Sequence, residues 1–258
     1  MRGSVTIVGL GPGSDDLISP EVNKAISNAT DIVGYGKYTE RIKKRKNLKI
    51  HSSDNKHEIF RADLALDLAI TGKKVVIVSS GDPGIFAMSS AFFECLEKTN
   101  KNIEEIEINV LPGISSMLAA SSRIGAPLGH DFCVINISDN LKPWKILKKR
   151  IILAIESDFV VVLFNPRSKA RPDTLKKTFD IFKNLSERER FVLFAKSVYK
   201  KNEDLKLVKL SEACDKMADM NTLIIIGSSL SRVIKKNKTF FYTPRDYLSW
   251  FSQFRTEE

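Results

Sequence analysis

Short runs of β-branched and aliphatic residues alternate along this chain with longer stretches whose apolar positions recur every three or four residues. That alternation predicts an α/β protein with largely parallel pairing, since each strand is followed by a segment long enough to cross back over a sheet. In the first half, SVTIVGL (4–10), DIVGY (31–35), KVVIVSS (74–80) and IEINVLP (106–112) read as strands. FCVINIS (132–138), FVVVLFN (159–165), FVLFAKSV (191–198), LKLVKL (205–210) and TLIIIG (222–227) do so in the second. Ser19 is placed to cap a helix with Pro20 at its first position. Helical spacing continues over Ala62 to Ile70, Pro143 to Ile155 and Arg171 to Leu185. Glycine and proline concentrate in RIGAPLGHD (123–131), which reads as a linker over 125–131 between α/β domains at 1–124 and 132–258.

Composition narrows this picture. The 258 residues are 43% hydrophobic, enough for a packed core and too many for a disordered chain. A formal charge of +10 favours an anionic partner without naming one. The expectation is no nucleic acid, because no basic stretch is interleaved with aromatic residues that could stack on bases. No apolar run reaches the ~18 residues of a membrane helix, no basic leader precedes the first strand, and Cys95, Cys133 and Cys214 have no metal-ligand spacing. These features predict a cytoplasmic protein with free thiols, no membrane partner and no metal site.

Glycine-bearing loops follow four predicted strands: GLGPG (9–13), GYGKY (34–38), SSGDPGIF (79–86) and LPGISS (111–116). Ligands of open α/β sheets bind at that edge. A dinucleotide fingerprint is disfavoured: Ser14 stands where the third glycine belongs, Asp31 begins the second strand instead of ending it, and Pro12 removes a phosphate-binding N–H. In SSGDPGIF, Asp82 precedes a turn and a helix expected to start near Ile85. Its carboxylate beside free N–H groups suits a ligand with both an amino group and a carboxylate; alternatively it caps that helix.

VGLGPGSDDLISPEV, GYGKYTERI, SSGDPGIFAMSSAFFE, LPGISSMLAASSRIGAPLGHDFC, SDFVVVLFNPRSKARP and IIIGSSLSRVI with FYTPRDY together resemble the tetrapyrrole methyltransferases, in order and over nearly the whole chain. The resemblance implies two α/β domains with the active-site cleft between them, S-adenosylmethionine as methyl donor, a polycarboxylate tetrapyrrole substrate and a homodimer. GHDFC, SDNLKPW and NPRSKARP point within the family to methylation of C-17 of precorrin-3B with ring contraction, in cobalamin biosynthesis. Carried over by position, the donor meets Pro12, Ser80, Gly81, Asp82, Ile85, Ser115, Ser116, Asn165, Asn221 and Thr222. The chain departs from the family pattern at Tyr199, where a glycine is usual, at Ser228 within GSS, and at Asp246 within TPRDY.

Methyl transfer from a sulfonium is an in-line displacement that asks mainly for alignment and exclusion of water. Ring contraction also moves protons, and His130 with Asp131 as its orienting carboxylate is the candidate catalytic pair. Both also fit a plain turn. Ser138 and Asp139 are candidate substrate contacts ahead of a helix packed through Trp144. Arg123, Arg167, Lys169 and Arg171 are candidate clamps for substrate carboxylates, a task suited to the arginine fork. Rival readings are another enzyme of this fold, acting on uroporphyrinogen, precorrin-4, diphthine or rRNA ribose, or a basic binding module without catalysis.

Overall fold

The computed structural model describes residues 2–138, 142–167 and 172–246. The chain divides into two compact units, Met1–Ser116 and Met117–Glu258.

In the first unit the chain runs β1 (Ser4–Gly9), α1 (Pro20–Asn28), β2 (Asp31–Tyr35), α2 (Gly36–Thr39), β3 (Lys49–Ser53), α3 (Glu58–Ile70), β4 (Lys74–Ser79), α4 (Met88–Lys98) and β5 (Glu107–Leu111). The five strands form one sheet, ordered β3-β2-β4-β1-β5, in which every pair is parallel. Alternation decides which helix covers which face. Val5, Ile7, Val33, Val75 and Ile77 pack on α3 and α4 through Leu66, Met88 and Phe92. Val8, Ile32, Val76 and Val78 face the other way, onto Val22 of α1. Ser19 caps α1 by accepting the Val22 N–H at 3.2 Å, with Pro20 at the first helical position as the sequence predicts. The short strand β3 has no apolar alternation strong enough to be read from sequence.

The second unit begins with α5 (Ser116–Ile124), whose first residue closes the first unit, and continues with β6 (Gly125–Ala126), β7 (Phe132–Asn136), α6 (Trp144–Glu156) and β8 (Val160–Phe164). It goes on with α7 (Thr174–Leu185), β9 (Phe191–Lys196), β10 (Asp204–Lys209), β11 (Thr222–Ile226), β12 (Arg232–Lys235) and β13 (Thr239–Tyr242). Its main sheet is ordered β10-β9-β11-β8-β7 and corrects the expectation of largely parallel pairing. Only β7–β8 is parallel; β8–β11, β11–β9 and β9–β10 are antiparallel. A parallel neighbour needs a crossover helix. The connections β7-α6-β8 and β8-α7-β9 have one, whereas β9 to β10 is a short turn and β10 to β11 carries only 3-10 turns. The core under α6 and α7 is built from Leu147, Ile151, Phe179, Phe182, Val161, Leu163, Phe194 and Ile224.

Residues 125 and 126, inside the segment read as linker, pair with β13 in a three-stranded sheet ordered β12-β13-β6. A two-residue strand leaves too short a pattern to see.

Candidate active site

The loops after β1, β2, β4 and β5 leave the C-terminal edge of four adjacent parallel strands. Strands β1 and β4 are neighbours, yet their following helices cover opposite faces of the sheet. This is where an open α/β sheet forms its ligand crevice.

Backbone contact holds that edge together. Gly11 N–H donates to Gly81 O at 3.2 Å, and Gly81 N–H donates to Gly11 O at 2.9 Å. Gly9 and Gly113 leave no room for a side chain where they meet each other and the carbonyl of Gly81. A Cβ on Gly113 would lie 2.2 Å from Gly81 O, and one on Gly9 would lie 2.4 Å from the same oxygen. Gly81 takes φ +61°, open to glycine at no steric cost. The three glycines therefore bring three backbones into contact, a role different from cradling phosphate.

Asp82 pins this arrangement. Its Oδ1 accepts the N–H of Gly84 at 2.8 Å, and its Oδ2 accepts the N–H of Gly113 at 3.0 Å. Helix α4 starts at Met88 instead of near Ile85, because residues 82–84 form an Asx-type turn and Phe86 is left-handed at φ +52°. Asp82 therefore does not cap that helix. Tyr38 lies near Ser80, and its hydroxyl pKa is raised chiefly by burial, then by neighbouring Tyr35, against the lowering effect of Ser80. Pro12 and Ser115 are buried, while Ser80, Ile85 and Ser116 are half-buried. The unit thus gathers all seven of its expected donor residues on the loops after β1, β4 and β5.

Two residues there were missed by sequence reasoning. Tyr38 lies in a glycine loop that had drawn notice only for its glycines. Arg61 is 3% exposed and gives Nε to Ser53 Oγ at 2.8 Å and Nη2 to the Asp54 carbonyl, joining α3 to the end of β3. Burial is the main influence that lowers its pKa. Nothing in the local sequence marks it out from other helix arginines.

In the second unit, the ends of β7, β8 and β9 and the start of β11 share one sheet edge, since Thr222 pairs with Lys196 and β11 runs antiparallel to β8. Asn136 joins two loops there: its Oδ1 accepts the Ser138 N–H at 2.9 Å and the Asn165 Nδ2–H at 3.2 Å. Asn165 is left-handed, φ +53°. Sequence reasoning named Ser138 and Asn165 but not Asn136, although an amide ending a strand was the available sign. Arg167 donates to Asp215 O at 3.4 Å and lies 3.7 Å from its carboxylate.

Asn221 and Thr222 are held by Asp219, whose Oδ1 accepts from Asn221 N–H and Thr222 Oγ1, both at 2.9 Å. Lys196 Nζ lies 2.8 Å from the other carboxylate oxygen. Burial pulls the Asp219 pKa up, but the hydrogen bonds from Lys196, Thr222 and Asn221 outweigh it and hold the group below its ordinary range. Ser197 N–H donates to Asn221 O at 3.1 Å, which brings the turn bearing Tyr199 to the same edge.

His130 and Asp131 are not brought to it. They precede β7, and Asp131 O accepts Val160 N–H where β8 begins. Along an extended strand that is roughly 16 Å from Asn136. The carboxylate does not orient the imidazole: His130 Nδ1 accepts the Asp131 backbone N–H at 2.7 Å, while Asp131 Oδ2 is 3.9 Å away on a largely exposed side chain. In the neutral ring the proton then resides on Nε2. The candidate substrate residues Asp139, Lys169 and Arg171 lie outside the described residues. Trp144 packs against the core as expected. Among the described residues no group of three or more His, Cys, Asp or Glu side chains could hold a metal, and no helix is long and apolar enough to cross a membrane.

Two α/β units, each with loops tied to one another at a sheet edge, have the architecture of an α/β fold that binds its ligand through those loops. The family model of the tetrapyrrole (corrin/porphyrin) methylases matches residues 4–214, and the chain belongs to that family. It is 41% identical to the precorrin-3B C(17)-methyltransferase of Sinorhizobium sp. over 96% of this chain and 98% of that one. It is 35% identical to the probable cobalt-factor III C(17)-methyltransferase of Salmonella typhimurium, covering 94% and 99%. Among solved structures it is similar to the methyltransferase CobJ, with a TM-score of 0.90 and 48% identity over 94% of this chain and 100% of that one.

Proposed function

We propose that the chain is an S-adenosylmethionine-dependent methyltransferase that methylates C-17 of precorrin-3B, or of its cobalt form, with ring contraction to precorrin-4 in cobalamin biosynthesis. End-to-end similarity to a precorrin-3B C(17)-methyltransferase carries this reading. The loop edges support it. Glycines and serines keep the edge of the first unit free of bulk at Gly9, Gly81, Ser115 and Ser116, which fits a donor bound through backbone groups. When bound, the donor supplies an electrophilic methyl carbon.

The residues proposed to hold it are Pro12, Ser80, Gly81, Asp82, Ile85, Ser115 and Ser116 from one unit and Asn165, Asn221 and Thr222 from the other. Asp82 acts by fixing its own loop to that of Gly113, and Asp219 by fixing the turn of Asn221. Arg123 and Arg167 are proposed to meet substrate carboxylates, with Ser138 as a hydrogen-bonding neighbour. His130 and Asp131, a strand length away from Asn136, are given no part in the methyl transfer and are proposed only for the proton transfers of ring contraction. A homodimer in the cytoplasm completes the proposal, and the three free cysteines are consistent with a reducing compartment.

Calorimetric titration with S-adenosylhomocysteine tests the donor site; binding of about one ligand per chain is expected, and no binding rejects the reading. Turnover of precorrin-3B compared with cobalt-factor III then decides the form of the substrate.

A further inference from the structure

Tyr199 has φ +59°, a backbone region where a bulky residue is a genuine outlier. Such a conformation persists only where its surroundings over-determine it. Here Glu203 does so: its Oε2 accepts the Tyr199 N–H at 2.5 Å and, from the last turn of α5, Arg123 Nε–H at 3.2 Å. Arg123 closes the cycle, its guanidinium carbon 3.8 Å from the centre of the Tyr199 ring. All three residues belong to the second unit.

An arginine held this way has lost most of its freedom. Its plane is fixed by stacking and its rotation by the Nε bond, while Nη1 and Nη2 have no protein partner among the described residues. Those two nitrogens are one edge of the guanidinium fork, the edge that takes a carboxylate end-on in bidentate fashion. The turn that carries Tyr199 is bonded to Asn221, so the fork is anchored beside the edge assigned to the donor. A surface ion pair alone would do little. A stacked and bonded arginine with a free edge is instead preorganised for an anion.

We infer that Tyr199 and Glu203 are positioning residues that fix Arg123 as a receptor for one carboxylate of the substrate. The inference rests on the methyltransferase reading for the identity of that substrate, a polycarboxylate tetrapyrrole. It also gives the departure at Tyr199 a use: glycine would take the same backbone without strain but would give Arg123 nothing to stack on.

Uroporphyrin III, a stable octacarboxylate, and its octamethyl ester serve as probes by fluorescence quenching, with S-adenosylhomocysteine titrated in parallel. Tyr199→Gly relieves the backbone and removes only the ring, so the fold is kept. The variants Tyr199→Gly and Arg123→Ala are each expected to weaken uroporphyrin III binding about tenfold or more, the loss typical of a charge-assisted contact. Tyr199→Phe keeps the stacking and should match the wild type, and Arg123→Lys should not. Affinity for S-adenosylhomocysteine should stay within about twofold in all four, as for a separate site. The octamethyl ester should bind wild type and Arg123→Ala alike. Unchanged uroporphyrin III affinity in Tyr199→Gly overturns the positioning role, and unchanged affinity in Arg123→Ala overturns the receptor. A wild-type protein that binds S-adenosylhomocysteine but no uroporphyrin III also overturns the inference. Failure of the wild type to bind S-adenosylhomocysteine rejects the methyltransferase reading itself.

Discussion

Asp82 Oδ2 accepts the backbone N–H of Gly113 at 3.0 Å, so a side chain of the loop after β4 fixes the loop after β5. The other oxygen holds Gly84 within its own turn. Both interactions are charge-assisted, and removing the acceptor strands two N–H groups at an edge whose geometry depends on close backbone contact. Asp82→Ala is expected to weaken S-adenosylhomocysteine binding at least about tenfold and to lower stability by about 1–3 kcal/mol. Asp82→Asn keeps one acceptor oxygen and should fall between. Calorimetry and urea melts check both, and an alanine variant with wild-type donor affinity removes the loop-fixing role.

The glycine contact gives a sharper contrast. Gly113→Ala places a methyl 2.2 Å from the backbone Gly81 O, on a residue whose own N–H Asp82 holds. Gly36→Ala meets nothing within 4 Å at the start of α2. The first is expected to destabilise by more than about 3 kcal/mol, the range of overpacking and strain combined. The second should be neutral or stabilise by up to about 1 kcal/mol through loss of unfolded-state freedom. Thermal denaturation of the pair decides it, and a tolerated Gly113→Ala contradicts the three-backbone contact.

The first unit was legible in the sequence because its physics is local. Strands β1, β2 and β4 are apolar runs followed by a turn and a helix, with β3 the exception, and Ser19–Pro20 announces α1 in two residues. The second sheet was not, since whether LKLVKL returns antiparallel depends on the shortness of the turn before it and on β11 entering between β8 and β9. The site divided in the same way. Loops that follow strands are visible, so Asp82 could be singled out from its own loop, whereas Ser80, Ser115 and Asn165 were implied by the family resemblance. What Asp82 bonds to, and the separation of His130 from Asn136, follow from strand order and direction, which no motif encodes. Asn136, Tyr38 and Glu203 act through neighbours distant in sequence or through a single turn, and residue type alone gave them no prominence.

Asp31 illustrates the point energetically. Set aside as a ribose ligand because it begins its strand, it does start β2, is 1% exposed and accepts from Thr30 Oγ1 at 2.8 Å. Its other oxygen lies 2.8 Å from His51 Nε2 on the adjacent strand β3. His51→Ala leaves a buried carboxylate with one side-chain partner fewer, at a cost of about 1–3 kcal/mol. His51→Gln can restore a donor and should recover part of it. Because the pair sits at the start of β2, away from the loop edge, donor affinity in folded His51→Ala should match the wild type. Loss of donor binding without loss of stability contradicts this placement.

Asp219 links pH to the other loop edge. Its folded pKa lies below the ordinary carboxylate range because bonds from Lys196, Thr222 and Asn221 outweigh the effect of burial. The folded chain therefore binds fewer protons at this site than the unfolded chain as pH falls through the carboxylate range, and stability must decrease towards acid. The contribution is fully present above the unfolded value and is lost as pH drops through the depressed folded one. Protonation removes an acceptor from Asn221 and Thr222 and the charge facing Lys196. Both Lys196 and Asp219 are substantially solvent-exposed, so screening keeps the effect small and it should shrink further in high salt. Asp219→Asn should flatten the acid limb of the stability profile relative to wild type while leaving the slope above neutral pH unchanged. Urea melts across the acid range in low and high salt read this directly, and parallel wild-type and variant profiles would show that Asp219 does not set the pH response of the Asn221 turn.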